Sequence, residues 1–236
     1  MNDQRSPFGF ANGTASAPLI LDAGQRNRVL RNTYWLLALS LVPTVLGAWI
    51  GVATGIITAM SPGMSLMVFL IGAFGLMFVI NKTKNSAAGV AALLAFTFFM
   101  GLMLSRMVSL VLGYSNGPTL VMTAFGGTAA IFFGMATMAT VIKRDLSGLG
   151  KFLMVGAWIL FFAFLANFFL QSSALMLTSL VVCLGLFSAF MLYDIKRVID
   201  GGETNYITAT LSIYLDLYNV FQSLLALLGI FGGNRN

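Results

Sequence analysis

The sequence predicts an all-α fold, a polytopic membrane protein built as a bundle of seven transmembrane helices. Hydrophobic residues make up 58% of the 236 residues and charged residues only 8%, with a mean hydropathy of +0.92, whereas about 25% of a soluble domain is charged. A helix needs about 20 apolar residues to cross a bilayer, and seven such windows fit along the chain. The windows are continuously apolar, which argues against a membrane β-barrel.

The seven windows follow one another with only short polar or Gly/Pro breaks. Residues 1–33 are rich in Gly, Ser, Ala, Asn and Pro, and we expect them to form a flexible cytoplasmic tail. The longest internal break, 195–207, leaves no room for a soluble domain, so 34–231 is one helical domain, followed by a short C-terminal tail, 232–236. The predicted helices cover residues 34–57, 63–80, 87–111, 119–142, 151–170, 174–194 and 208–231.

The basic residues indicate topology. Lys and Arg precede helix 1 and occupy the breaks after helices 2, 4 and 6, but the breaks after helices 1, 3 and 5 contain none. By the positive-inside rule, the N-terminus is cytoplasmic and the C-terminus lies outside. The net charge of +6 therefore reflects contact with the bilayer and gives no indication of nucleic-acid binding. Residues 1–33 lack the apolar core of a signal peptide, so helix 1 would itself be the insertion signal.

Residue types exclude enzyme chemistry based on histidine or on paired cysteines, and we expect no enzyme and no cofactor. The chain has no histidine and one cysteine, Cys183, which excludes His-based catalysis, paired-cysteine metal sites and an internal disulfide. An intramembrane aspartyl protease would place acids on two helices, but "YLDL" is not GxGD and no later helix carries a PAL motif. A retinal pump needs a lysine in helix 7, and 208–231 has none.

Small residues at four-residue spacing mark helices 1 and 4. They allow close backbone approach, and we expect packing within the bundle, with a dimer interface as the alternative. The two stripes are Gly47, Gly51 and Gly55, and Gly126, Ala130 and Gly134.

Helix 7 carries a polar stripe around an acid. Ser212, Asp216, Asn219 and Ser223 are spaced by four, three and four residues, so they share one helix face, and Thr208 extends it by a turn. Groups of this kind must face the bundle interior or water.

A second acid, Asp194 in "LYDIKRVI", closes predicted helix 6. Both acids fall in the cytoplasmic half of sequential helices. Two carboxylates in a poorly solvated site cannot both ionise cheaply, so a shared proton would make a pH-responsive gate, and their oxygens would suit weak binding of calcium. The alternative for Asp194 is a helix-end pair with Lys196 or Arg197, and for Asp216 a structural hydrogen bond.

Arg106 lies deep in helix 3, about 28 Å from its cytoplasmic start at 1.5 Å per residue. We expect it to snorkel to the outer interface. The alternative is a residue that guards an outer vestibule.

Several motifs together resemble the Bax inhibitor-1 family and its bacterial YccA-like branch. The family's marks are an acid after a tyrosine in helix 6 and a "YLD...N.F..LL..LG" helix 7, which here reads "IYLDLYNVFQSLLALLG". The likeness covers about residues 29–231 and includes "VLRNTYWLL", "FGGTAAIFFGMA", "KRDLSGLGKFL", "ANFFLQ" and "GGETNYITAT".

The resemblance implies a bundle with helix 7 at its centre, in the bacterial inner membrane. In some members it implies a pH-sensitive calcium leak controlled by an acidic pair, which by position is Asp194 and Asp216. Such relatives place an arginine latch at the inner end of helix 2, where this chain has Asn81 and Lys82. The branch instead implies modulation of the membrane-bound FtsH protease, with the N-terminal tail as a handle. We expect the leak and keep the protease modulator as the alternative; the sequence leaves the oligomeric state open.

Overall fold

The all-α prediction is confirmed by a computed structural model, which describes residues 23–234. Each of its seven helices is long and apolar enough to cross a membrane, so the chain is a multi-pass membrane protein. The helices are α1 (Ala23–Thr54), α2 (Pro62–Thr83), α3 (Ala87–Leu112), α4 (Gly117–Val141), α5 (Ser147–Leu170), α6 (Ser173–Ile199) and α7 (Tyr206–Gly232).

Helix α1 begins at Ala23, so the predicted boundary at residue 34 is wrong. The segment 23–33 contains no proline and several strong helix formers. A hydropathy window detects only the part of a helix that lies in hydrocarbon and misses this polar first part. The rest of the predicted tail, residues 1–22, lies outside the described residues, as do 235–236.

Helix α7 occupies the centre of the bundle, as expected. It contacts α1, α2, α3, α4 and α6. Half of its most apolar stretch is buried, compared with 11% for α2 and for α5. The peripheral helices therefore present most of their surface to lipid, and α7 presents most of its surface to protein.

The start of α7 is fixed by Asn205. Its Oδ1 accepts hydrogen bonds from the backbone N–H groups of Ile207 and Thr208 at 2.9 and 3.2 Å, which caps the helix. Its Nδ2 donates to the Lys84 carbonyl at 2.8 Å. One side chain thus caps α7 and ties it to the loop between α2 and α3.

Two of the three glycines in the predicted stripe of α1 pack against α3, whereas Gly55 lies beyond the end of α1 at Thr54 and does not. A methyl group on Gly47 would collide with the Phe98 carbonyl, and one on Gly51 with the Ser105 side chain. On the facing helix, a methyl group on Gly101 of α3 would likewise collide with the backbone carbonyl of Thr44. These glycines allow the two helices to touch along their backbones.

The stripe on α4 does not pack within the bundle, so the same prediction is wrong there. Gly126, Ala130 and Gly134 are exposed, and a methyl group on either glycine would meet no atom within 4 Å. Spacing alone does not decide which face of a helix is covered.

The two ends of the bundle differ in charge. At one end, called the basic end, the loops 84–86, 142–146 and 200–205 contain or adjoin Lys and Arg. At the other, the neutral end, the loops 55–61, 113–116 and 171–172 contain no charged residue.

Candidate functional site

The two predicted acids meet between α6 and α7. The carboxyl groups of Asp194 and Asp216 lie within hydrogen-bonding reach of each other. Asp216 is buried, with 4% of its surface exposed, and Asp194 is half-buried. A carboxylate can only accept hydrogen bonds, so the two groups can be joined only when a proton lies between them. The structure thus places the two acids together, and the shared proton stays a prediction.

Asp194 does not close helix 6, which corrects the prediction. Helix α6 continues to Ile199, so Asp194 projects from the body of the helix. The predicted boundary stopped at the first charged residues, although a helix can continue as a polar last turn beyond the apolar span.

The alternative pairing of Asp194 with neighbouring cations is not what the structure shows. Lys196 Nζ donates to Asp200 Oδ1 at 2.6 Å, and Arg197 pairs with Glu203 at 3.4 Å. Arg197 and Glu203 still exert opposing electrostatic effects on Asp194. Asp194 itself is left to face Asp216.

The surroundings of Asp216 contain few polar partners. Its Oδ2 is buried and receives no hydrogen bond from any donor in the described part of the chain. Within residues 23–234, His, Cys, Asp and Glu side chains form no group of three or more that could hold a metal. The pair supplies at most four oxygens, whereas calcium takes six to eight oxygen ligands. This arrangement suits a proton better than a tightly held metal ion.

The other end of the acid stripe is equally short of partners. Ser223 is fully buried, and its Oγ has no hydrogen-bond partner among the described residues. The thiol of Cys183 on α6 lies beside it, and a thiol is a weak hydrogen-bonding group. Cys183 is itself buried and packs as a small residue between the helices.

The remaining stripe residues bind to their own helix. Asn219 Nδ2 donates to the Leu215 carbonyl at 2.8 Å, and Thr208 Oγ1 donates to the Asn205 carbonyl at 3.0 Å. These two and Ser212 are half-buried. We call the face with Thr208, Ser212, Asp216, Asn219 and Ser223 the acid face of α7.

A second polar stripe on α7 was missed by the sequence reasoning. Thr210, Tyr214, Tyr218 and Gln222 repeat at four-residue spacing, and we call them the tyrosine face. The same spacing rule that identified the acid face would have found it. Tyrosine is counted among the hydrophobic residues because its hydroxyl is a small part of a large side chain, so the polar stripe is not apparent from hydropathy.

Hydrogen bonds to α1 and α3 satisfy the tyrosine face. Tyr214, only 1% exposed, shares a 2.9 Å hydrogen bond with Thr44 Oγ1 and donates toward the Thr97 carbonyl at 3.4 Å. The Tyr218 hydroxyl donates to the Met100 carbonyl at 3.2 Å. This face fastens α7 to its neighbours.

Arg106 lies toward the neutral end without reaching freely into solvent. Its Nη1 donates to Ser65 Oγ at 2.9 Å and to the Met60 carbonyl at 3.4 Å. It also lines a cleft with Tyr218 and Gln222 of α7. These contacts lie at the neutral-end loop and the first turn of α2, and both expectations for Arg106, snorkelling and a vestibule residue, stay predictions.

Lys82 is not part of the acid site. It is exposed on α2, with Nζ 5.0 Å from the centre of the Phe78 ring, and it forms no ion pair within the described residues. The structure therefore does not place it as a latch on Asp194 and Asp216.

Comparison with known proteins gives a consistent match over nearly the whole chain. The family model described as "Inhibitor of apoptosis-promoting Bax1" matches residues 26–233. A protein named "Modulator of FtsH protease YccA" from Escherichia coli K12 is 40% identical over 203 residues, covering 86% of this chain and 90% of the relative. "Inner membrane protein YccA" from Escherichia coli O6:H1 matches to the same extent. A membrane protein of Vibrio cholerae is 38% identical over 210 residues, covering 89% of this chain and 92% of its own.

Proposed function

Since the chain belongs to the Bax inhibitor-1 family, we propose that it modulates an FtsH-type protease in the bacterial inner membrane. The observation that carries the proposal is the 40% identity, over 90% of its length, to a relative named as a modulator of FtsH. Modulation requires binding only, so the chain acts without a catalytic step. Its N-terminus is cytoplasmic and its C-terminus outside, in accord with the basic end of the bundle.

The exposed helix faces supply a binding surface inside the bilayer. Helix α2 exposes Met67, Ile71 and Phe74, and α5 exposes Trp158 and Phe162. A membrane-embedded partner could pack on such faces in place of lipid. Residues 1–22 would extend from α1 on the cytoplasmic side and offer the protease a handle.

The test uses proteoliposomes that contain purified Escherichia coli FtsH and a membrane-protein substrate. Adding the full chain should change the half-life of the substrate, and the chain should co-purify with FtsH. A variant lacking residues 2–22 leaves α1 intact and should lose the effect. Asp216→Asn should keep it, because this role does not need the acidic pair. No co-purification and an unchanged half-life would refute the proposal.

A second candidate function, a pH-sensitive cation leak, is supported by the contact between Asp194 and Asp216. With a shared proton, the carboxyl groups hold α6 and α7 together at mid-bundle. When the proton leaves, two adjacent carboxylates repel each other and separate the helices. The opening would be lined by oxygens that attract cations such as calcium, so flux should rise with pH.

The leak is tested with liposomes loaded with a calcium-sensitive dye and containing the purified chain. Calcium entry is followed from about pH 5 to about pH 8, where coupled carboxyl groups titrate. The wild type should leak faster at the higher pH, and Asp216→Asn should lose that dependence. Asp200→Asn is the matched control, since it removes an exposed acid of α6 that pairs with Lys196. Entry no faster than in empty liposomes at any pH would eliminate the leak.

A further inference from the structure

A cleft toward the neutral end of the bundle is not part of the acid site. It has a volume of about 290 Å³ and lies between the first turns of α2, the second half of α3 and α7. Its lining combines apolar residues, Phe69 and Met103 among them, with polar ones. The polar groups are Ser65, Arg106, Tyr218 and Gln222.

Arg106 brings a charge to this cleft that no acid within residues 23–234 neutralises. Within the described residues both ion pairs, Lys196–Asp200 and Arg197–Glu203, lie at the basic end. A guanidinium carries five N–H donors, and in Arg106 only Nη1 makes hydrogen bonds within the described part of the chain. A half-buried cation inside a membrane protein is costly unless it is paired, and the bonds of Arg106 to a carbonyl and a hydroxyl supply no opposite charge. The cleft therefore lacks an anionic partner.

The other polar groups suit an anion that has several oxygens. Ser65 carries a hydroxyl and Gln222 carries an amide, so each can donate a hydrogen bond, whereas the hydroxyl of Tyr218 already donates to the Met100 carbonyl. Gln222 Nε2 already contacts the Tyr218 hydroxyl at 3.2 Å, and the second amide hydrogen remains available. Arginine pairs well with phosphate because its planar fork matches two phosphate oxygens.

The depth and surroundings of the cleft point to a lipid as the source of the phosphate. Arg106 precedes the end of α3 at Leu112 by about 9 Å at 1.5 Å per residue, close to the depth at which headgroups meet acyl chains. Helix α2 beside it exposes Met64 and Met67, and such a surface suits an acyl chain. We propose that this cleft binds the phosphodiester headgroup of an anionic membrane lipid, with Arg106 as its ionic partner.

The test is native mass spectrometry of the full chain in detergent with added phosphatidylglycerol. Because Arg106 would contribute a charge-assisted hydrogen bond, Arg106→Gln should weaken binding by about tenfold. Gln222→Glu should weaken it as well, since it places a competing carboxylate in the same cleft. Lys82→Gln is the matched control, because it removes one exposed positive charge at the opposite end and should bind like the wild type.

Four results would overturn the proposal. Arg106→Gln could bind phosphatidylglycerol as tightly as the wild type, or Lys82→Gln could lose as much binding, which would indicate a general effect of charge. Inorganic phosphate could displace the lipid at equal concentration, which would show a free-anion site. If Arg106→Gln loses its helical circular dichroism, Gln222→Glu decides: unchanged binding would refute the lipid site.

Discussion

The two polar faces of α7 differ in whether their polar atoms have partners. On the tyrosine face, the hydroxyls of Thr210, Tyr214 and Tyr218 all make hydrogen bonds, and those bonds extend to α1 and α3. On the acid face, Asp216 Oδ2 and Ser223 Oγ are buried without partners among the described residues. One helix thus presents a satisfied face and an unsatisfied one.

The difference separates a structural role from a functional one. A hydrogen bond between membrane helices contributes modestly to stability, whereas an unsatisfied buried polar group costs free energy. The tyrosine face therefore stabilises the bundle. The acid face retains groups that do not improve stability, as is usual for ionisable residues with a function inside a membrane. Substitutions on the two faces should have opposite signs.

The largest expected effect is on the tyrosine face. Tyr214→Ala removes a fully buried ring and both of its hydrogen bonds, so we expect the free energy of unfolding to fall by about 3–5 kcal/mol. Reversible unfolding in mixed micelles with increasing SDS measures it. Phe169→Ala is the control, since Phe169 is 76% exposed and its loss should cost less than about 0.5 kcal/mol. Equal losses would show that the position of the ring in the bundle is unimportant.

The hydroxyl of Tyr214 can be tested separately from its ring. Tyr214→Phe keeps the packing and loses the bond to Thr44, so we expect a loss of about 1 kcal/mol. Thr44→Val should cost a similar amount, and the double variant should cost less than the sum because the two share one hydrogen bond. Strict additivity would mean that the 2.9 Å contact contributes no stability.

The number of helices could be predicted from the sequence because it depends on strong local signals, whereas the central position of α7 was implied by the family resemblance. Apolar windows locate the spans, and a polar residue inside a span must turn inward. The start of α1 and the end of α6 could not be predicted from hydropathy. The part of a helix that extends beyond the hydrocarbon depends on helix propensity and packing instead. The exposure of the small-residue stripe on α4 could not be predicted either, because the spacing of small residues does not show whether another helix packs against them.

The two acids of the site, Asp194 and Asp216, could be predicted from the sequence, but the contacts of the charged residues around them were predicted less well. The spacing in α7 placed Asp216 inside, and sequential helices brought Asp194 near. Three short-range contacts were not identified from the sequence. Lys196 with Asp200 and Lys82 with Phe78 are each four residues apart in the chain, and Arg197 pairs with Glu203 six residues further on. The stripe around Tyr214 was available in the sequence but was hidden by counting tyrosine as apolar.

The acid face should respond to neutralisation with the opposite sign. In Asp216→Asn the amide can donate to Asp194 without a shared proton, so we expect the free energy of unfolding to stay unchanged or rise by up to about 1 kcal/mol. The same SDS titration, run at neutral pH, measures it. Asp216→Ala provides no donor and should not reproduce the gain. A loss as large as that of Tyr214→Phe would show that the acid face is structural after all.

The smallest expected effect compares two hydroxyls on the same helix. Ser223→Ala removes an oxygen that has no hydrogen-bond partner in the described structure, so stability should change by less than about 0.5 kcal/mol. Thr210→Val removes a hydroxyl bonded to Tyr206 at 2.7 Å and to Thr33 at 3.3 Å, and should cost about 1 kcal/mol. Both residues are fully buried, so burial alone predicts equal costs. A larger loss for Ser223→Ala would mean that the thiol of Cys183 is a true partner, and the acid face would then be unsatisfied only at Asp216.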